Sequence, residues 1–231
     1  MRVATVDLWR VALNREWDGE LGLWDCLHQD ERARASRFHF RRDRDRFVAS
    51  RGSLRHILAR YLGERPERVR LDYTPEGKPF LRDHPDLHFN LSHAADLTLV
   101  AVSHGWPLGV DIEVVPSNSV VDTTSSLVLS HPEYGELQRL SGPTRCERFA
   151  RFWTRKEAYI KADGRGMQLE LDRIDVATSQ DRVLLRDQCS DRWTSCPRWT
   201  LRSIPVEAGY AAAVAAEGSD WQVVPFGWPG I

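Results

Sequence analysis

Apolar and polar positions along the chain alternate at two periods. Alternation from Val3 to Leu8 predicts a first strand. A helical stretch follows from Asp30 to Arg42, and then a second helix from Asp43 to Leu62. On the second helix Phe47, Leu54, Leu58 and Tyr61 recur at helical spacing, and Gly63 with Pro66 beyond it marks the stop. Arg51 falls inside that apolar stripe. Two readings of it stand: a packed stem whose guanidinium reaches an edge or an internal carboxylate, or a side chain facing a ligand cleft.

Three strand signals come next, at Leu87 to Leu91, Leu97 to Ser103 and Leu108 to Val114. The turns between them carry Ala94-Ala95-Asp96 and His104-Gly105-Trp106-Pro107. Residues 116–126 are polar, rich in Ser and Thr and without periodicity, and read as a linker. Helix signals follow at Val128 to Leu140 and Thr144 to Ala162, then strands at Val183 to Arg186, Trp199 to Ile204, Tyr210 to Ala216 and Trp221 to Val224. Each half therefore offers helix content followed by antiparallel strands. The fold class expected is α+β, with two similar lobes packed side by side: residues 1–115, a linker at 116–126, and residues 127–231.

At 231 residues, with 42% hydrophobic and 28% charged positions, the chain can bury a sizeable core and does not read as disordered. A formal net charge of −1 supplies no bulk attraction to nucleic acid or membrane. Cys26, Cys146, Cys189 and Cys196 lack any Cys-x-x-Cys spacing, so free thiols in a reducing compartment are expected. Met1-Arg2-Val3 opens directly into a strand with no apolar leader, and no window is long enough to span a bilayer; a cytoplasmic location is expected. Charge is uneven, since Arg32, Arg34, Arg37, Arg41, Arg42, Arg44, Arg46, Arg51, Arg55 and Arg60 crowd one segment. That crowd reads either as a solvated helix face laced with Asp43 and Asp45 or as a patch for an anionic ligand.

Two acidic stations carry the candidate chemistry. In Gly109-Val110-Asp111-Ile112-Glu113 the carboxylates are two apart on a strand, so they share a face while Ile112 turns to the core. In Phe152-Trp153-Thr154-Arg155-Lys156-Glu157-Ala158-Tyr159-Ile160-Lys161, Glu157 and Lys161 are four apart on a helix and stand on one flank. Carboxylates aimed together suit a hard divalent cation such as Mg²⁺, which takes oxygen ligands and keeps waters for a phosphate-bearing substrate. Lys161 could neutralise phosphate charge. Taken singly, each station also reads as a solvated strand edge or a surface ion pair.

Two further blocks precede them, Pro75-Glu76-Gly77-Lys78-Pro79 and Phe89-Asn90-Leu91-Ser92-His93. With the four blocks in order, from about Arg32 to Met167, the chain resembles the Sfp-type 4′-phosphopantetheinyl transferases. The family pattern of Gly-Lys-Pro, Asn-x-Ser-His, Gly-x-Asp-x-Glu and Trp-x-x-Lys-Glu-Ala-x-x-Lys is met without a gap. The resemblance implies a pseudo-twofold arrangement of the two lobes with the active site between them. It also implies Mg²⁺-dependent transfer of the phosphopantetheine arm of coenzyme A to a serine of an apo acyl or peptidyl carrier protein, releasing adenosine 3′,5′-bisphosphate.

Carried over position by position, the resemblance makes Asp111, Glu113 and Glu157 the metal carboxylates. Glu157 is also the acceptor of the serine proton, and Lys161 the contact to the phosphate under attack. Arg34, Arg46, Gly77, Lys78, Pro79, Ser92 and His93 fall to coenzyme A recognition. Glu31 stands where some relatives have a lysine, a departure in the phosphate cradle that Arg32 or Arg34 would make good. Lys156 should pack its stem among Phe149, Phe152, Trp153 and Ile160, and Trp153 reads as a core anchor whose N–H needs a partner. The same resemblance implies a monomer, since both lobes lie in one chain. A catalytically silent binding module for coenzyme A or a carrier is the alternative, and a metal-dependent phosphohydrolase a third reading.

Overall fold

The computed structural model describes residues 4–14, 22–166, 169–177, 182–186 and 192–229. Met1, Arg2 and Val3 at the expected start of the first strand, Met167 and Cys189 lie outside the described residues. Eleven strands and five α-helices follow in order: β1 Ala4–Ala12, α1 Gln29–Ala35, α2 Arg41–Leu62, β2 Asp72–Tyr73, β3 Pro79–Phe80, β4 Leu87–Ala94, β5 Leu97–His104, β6 Leu108–Val114, α3 Asn118–Val128, α4 His131–Leu137, α5 Gly142–Asp163, β7 Ile174–Asp175, β8 Arg182–Arg186, β9 Trp193–Ile204, β10 Tyr210–Glu217 and β11 Trp221–Trp228. The fold is α+β. Its two main sheets run β11-β1-β5-β4 and β6-β10-β9-β8-β7, with β2 and β3 forming a short hairpin apart.

Three apolar cores explain the stacking. Strand β5 is apolar on both faces: Val100 and Val102 meet α2 residues such as Leu54, Ile57 and Leu58, while Leu97, Leu99 and Ala101 turn the other way. On that second face they join Leu108, Val110 and Ile112 of β6 and Ala212, Val214 and Ala216 of β10, so the two sheets share a core. Ala213 and Ala215 of β10 point away from it and pack with Phe149, Phe152, Tyr159 and Ile160 of α5. Period-two alternation along each strand thus places one 22-residue helix outside each sheet.

Sheet membership does not follow chain halves. Strand β6 pairs antiparallel with β10, and β11 returns to lie parallel against β1. A division at residue 115 therefore leaves one strand of each sheet on the other side. The stretch expected as a linker is helical instead: α3 buries Val121, Ser125 and Val128, one turn apart, against the α5 core. Burial of that stripe outweighs the modest helix propensity of its Ser and Thr residues. The first helical stretch is also shorter than its periodicity suggests, since α1 ends at Ala35 and α2 starts only at Arg41.

Two buried ion pairs pin helices that pattern alone leaves loose. Lys156 of α5 is fully buried, bonds Glu133 at 2.7 Å, and donates to the carbonyls of Val128, Leu171 and Ile174. Glu133 in turn accepts from the N–H groups of Ser130 and Val176. Arg55 of α2 pairs with Glu31 at 2.7 Å and donates to Val69 O. Arg55 thus leaves the solvated face that its neighbours suggest, and Glu31 serves the helix junction.

The tightest contact lies between β6 and α5. A Cβ on Gly109 would overlap Ala158 O and stand 2.5 Å from Ala162 N and 2.9 Å from Lys161 C, so only glycine lets the helix lie on the strand backbone. Gly109→Ala is expected to cost about 1–3 kcal/mol, towards the upper end because backbone atoms cannot rotate aside; urea unfolding with an unchanged m-value would measure it. Glu133→Gln leaves the Lys156 ammonium without its counter-charge and is expected to cost about 3–5 kcal/mol. The paired change Glu133→Leu with Lys156→Met should lose far less in the same assay.

Candidate active site

Strand β6 presents Gly109, Asp111 and Glu113 to α5 and its other face to the shared core, as alternation requires. Strand β4 holds β6 in place through side chains: Asn90 Oδ1 accepts from Val110 N at 2.9 Å, and Ser92 Oγ donates to Asp111 Oδ1 at 2.8 Å. From α5, Lys161 Nζ donates to the same Asp111 oxygen at 2.7 Å, to Ser92 Oγ at 3.0 Å and to Val110 O at 3.3 Å. Three elements distant in sequence thus converge on one carboxylate. Asp111 Oδ2, by contrast, is buried with no hydrogen-bond partner.

Glu113 and Glu157 complete an acidic cluster. Burial first, then the neighbouring carboxylate charge, pushes the pKa of each above the ordinary carboxylate range. For Glu113 that neighbour is Asp111; for Glu157 both Asp111 and Glu113 act, with Lys161 pulling the other way. Asp111 is also raised by burial, against the opposing pull of Lys161 and Ser92. Trp153 stands beside Glu113, where its N–H opposes the rise at that carboxylate. Among the described residues no three His, Cys, Asp or Glu side chains form a group that could hold a metal ion by themselves.

Lys161 also lines a cleft of about 630 Å³ that opens beside this cluster. One wall is α2 with Arg46, Phe47, Ser50 and Arg51; Arg34 stands next to it; β4 supplies Asn90, Leu91 and His93; and the turn Gly77-Lys78-Pro79 faces them. Gly77 sits at φ 83°, a conformation that favours glycine and lets the turn close. Arg34, Arg46, Gly77, Lys78, Pro79, His93 and Lys161 are therefore gathered in one cavity. Ser92, Asp111, Glu113 and Glu157 do not line it, and Ser92 and Asp111 bond Lys161 from beneath.

The cleft is cation-rich. His93 has its pKa lowered by burial and by the charges of Lys161, Arg51 and Arg34. Arg46 donates to Asp96 Oδ1 at 3.0 Å, with Arg42 on the same carboxylate, so its guanidinium is partly committed. Arg34 lies 5.2 Å from the Phe47 ring centroid and Arg51 6.0 Å from the same ring. Arg51 Nη1 is buried and unpartnered, which settles the two readings of its sequence position in favour of the cleft. Asn90, Phe47 and Arg51 are the participants that motif reasoning left out; only the misplaced cation in an apolar stripe signalled one of them. Lys78 turns its ammonium to the carbonyls of Leu108 and Lys161, and burial lowers its pKa to about 8.

Comparison with known proteins places this geometry. Residues 12–105 match the family described as 4′-phosphopantetheinyl transferase, N-terminal, and residues 107–215 match the 4′-phosphopantetheinyl transferase superfamily. The chain is 36% identical over 220 residues to 4′-phosphopantetheinyl transferase HetI of Nostoc sp., covering 94% of this chain and 90% of that one. The chain belongs to the 4′-phosphopantetheinyl transferase family. Its type is that of Sfp: 4′-phosphopantetheinyl transferase Sfp of Bacillus subtilis is 28% identical over 195 residues, 84% of each chain. Among solved structures, a holo-(acyl-carrier-protein) synthase of Bacillus anthracis in complex with coenzyme A (3′,5′-ADP) aligns with a TM-score of 0.36 at 20% identity, over 49% of this chain and 96% of that one. Members of this family are transferases, and so is this protein. No helix among the described residues is long and apolar enough to cross a membrane.

The raised carboxylate pKa values have a consequence for stability. A carboxyl whose folded pKa lies above its unfolded one opposes folding once pH exceeds both. Without ligand or metal, Glu157→Gln should therefore raise the melting temperature at pH 7 by a few degrees, and the gain should vanish below about pH 4, where the unfolded carboxyl is protonated too. Thermal melts across pH 3–8 check it.

Proposed function

We propose that this protein transfers the 4′-phosphopantetheine arm of coenzyme A to a serine hydroxyl of an apo acyl or peptidyl carrier protein, with Mg²⁺ and with release of adenosine 3′,5′-bisphosphate. The observation that carries the reading is the junction at Lys161. One ammonium touches both the cation-lined cleft and the buried Asp111 carboxylate. Phosphate recognition and the acidic cluster are thereby adjacent.

The cleft would take the nucleotide end of the coenzyme. Arg34, Arg46 and His93 supply positive or donor groups for phosphate, and Gly77-Lys78-Pro79 walls a slot for the base. Asp111, Glu113 and Glu157 would hold Mg²⁺. The fit rests on Asp111 Oδ2, buried and without a partner, and on its carboxylate standing close enough to Glu113 and Glu157 for its charge to act on both. Mg²⁺ commonly keeps several waters and takes substrate phosphate oxygens, so it does not need an all-protein cage. When bound, it supplies charge neutralisation and alignment of the diphosphate.

The chain's own groups then have distinct tasks. The carrier serine must lose its proton as its oxygen bonds to the phosphorus bearing the pantetheine arm. Glu157, set on α5 one turn before Lys161, would take that proton, with the metal or a bound water assisting. The bond from that phosphorus to the bridging oxygen breaks, and the negative charge leaves with the adenosine bisphosphate. Lys161, on the cleft wall, would neutralise that charge. Both faces of the cleft come from one chain, which supports a monomer as the working unit. A cytoplasmic setting belongs to the same proposal. A silent binding module is not favoured, since Asp111, Glu113, Glu157 and Lys161 are all present.

Incubation with apo carrier protein, coenzyme A and Mg²⁺ should raise the carrier's intact mass by one phosphopantetheine arm. No shift across diverse carriers, or release of free phosphopantetheine in its place, contradicts the proposal. Glu157→Gln should lower transfer about 10²–10⁴-fold while coenzyme A binding is largely kept; equal loss of both would refute the base assignment.

A further inference from the structure

The end of α5 is where the two halves of the site are joined. Like any helix, α5 leaves its last carbonyls without intrahelical partners. Gly164 N caps Ile160 O at 3.0 Å. The next carbonyl, that of Lys161, is taken by a residue far away in sequence: Lys78 Nζ donates to Lys161 O, and to Leu108 O at 3.2 Å. One ammonium thus ties together the turn before β3, the first residue of β6 and the last turn of α5. A cation at that end also suits the partial negative charge of a helix C-terminus.

Lys161 is consequently held at both ends. Its carbonyl is bound by Lys78, and its ammonium by Asp111, Ser92 and Val110. The Gly109 contact, with Lys161 C 2.9 Å from where a Cβ would lie, sits in the same junction. A lysine serving only as a phosphate ligand would keep its donors toward the cleft. Lys78 instead directs two of its three N–H donors to backbone carbonyls of the catalytic layer.

We propose that Lys78 is a positioning residue: it caps the last turn of α5 and seats Lys161 against β6, linking the Gly77-Lys78-Pro79 wall of the cleft to the helix that carries the reaction. The inference deepens the transferase reading and rests on it for the kinetic part of its test.

Two measurements decide it. In the unliganded protein, Lys78→Met keeps the apolar stem and removes the donors. Hydrogen exchange at the amides of Ala162, Asp163 and Gly164 should speed up about tenfold or more, and Lys78→Arg should recover most of the protection. In carrier transfer, Lys78→Met should lower kcat about ten- to a hundredfold with KM for coenzyme A little changed. In a Lys161→Ala background the same substitution should add almost nothing. Unchanged exchange at the last turn overturns the proposal. So does a raised KM at constant kcat, or losses that multiply in the double variant, because each would make Lys78 a direct ligand contact. If the unsubstituted protein transfers nothing, the transferase reading fails and the exchange result alone decides the cap. If Lys78→Met does not fold, Lys78→Gln compared with Lys78→Arg gives the same contrast.

Discussion

A helix lying directly on a strand's backbone is the constraint on which the rest depends. At Gly109 the missing side chain lets α5 come down onto β6 until Ala158, Lys161 and Ala162 meet the strand's main chain. Any larger residue there would lift the helix, and Glu157 and Lys161 would move off Asp111 with it. Close approach also explains why Asp111, Glu157 and Lys161 sit on stiff elements. Strand β6 is paired on one side with β10, and on the other its Val110 N–H is held by Asn90. A site so supported can keep charged groups at a few ångströms without relaxing them apart.

That rigidity sustains an arrangement that is unfavourable on its own terms. Burial raises the pKa of all three carboxylates, the charge of Asp111 adds to the rise at Glu113 and Glu157, and Asp111 keeps one oxygen buried and unpartnered. Such a group costs roughly 1–3 kcal/mol or more when nothing satisfies it. Stability comes instead from the three apolar cores, while the buried Lys156–Glu133 pair, with its ring of carbonyls and N–H groups, fixes how α5 is seated rather than adding net stability. Neighbouring residues of one motif, Lys156 and Glu157, thus have opposite duties. One is buried and saturated, and the other is left under-compensated beside the cleft.

How much of this the sequence displayed depends on the range of each interaction. The strands over Leu97–His104 and Leu108–Val114, and the opposed faces of Asp111 and Ile112, were legible because short apolar runs between turns and period-two facing are local features. The four motifs located the acids and the cleft wall. The return of β11 to β1 was not legible, because nothing local in Trp221–Trp228 names its partner. Helix α3 hid behind Ser and Thr for the same reason: its buried stripe of Val121, Ser125 and Val128 is defined only by the α5 core that its two valines join. Glu31 read as a missing phosphate ligand, whereas its partner Arg55 lies 24 positions away and both are buried.

The electrostatics of the cleft follow from the same layout. Arg34, Arg46, Arg51, His93 and Lys161 face one cavity whose acidic wall residues, among the described residues, are Asp43 and Glu76. Like charges crowd there because α2 and β4 are fixed by their apolar faces, not by attraction between their polar ones. Repulsion shows itself in His93, driven toward its neutral form by burial and three neighbouring cations. Arg46 relieves part of the charge through Asp96, yet both side chains remain partly open, at 22% and 29% exposure. An ion pair so exposed is worth only about 0–1 kcal/mol, little enough for a phosphate to take Asp96's place. Arg51 has no such interim partner for its buried Nη1. The cleft is therefore under-neutralised by construction, as the acidic cluster beneath it is over-negative. A ligand that brings phosphates to the first and a divalent cation to the second relieves both at once, with Lys161 at the boundary between them.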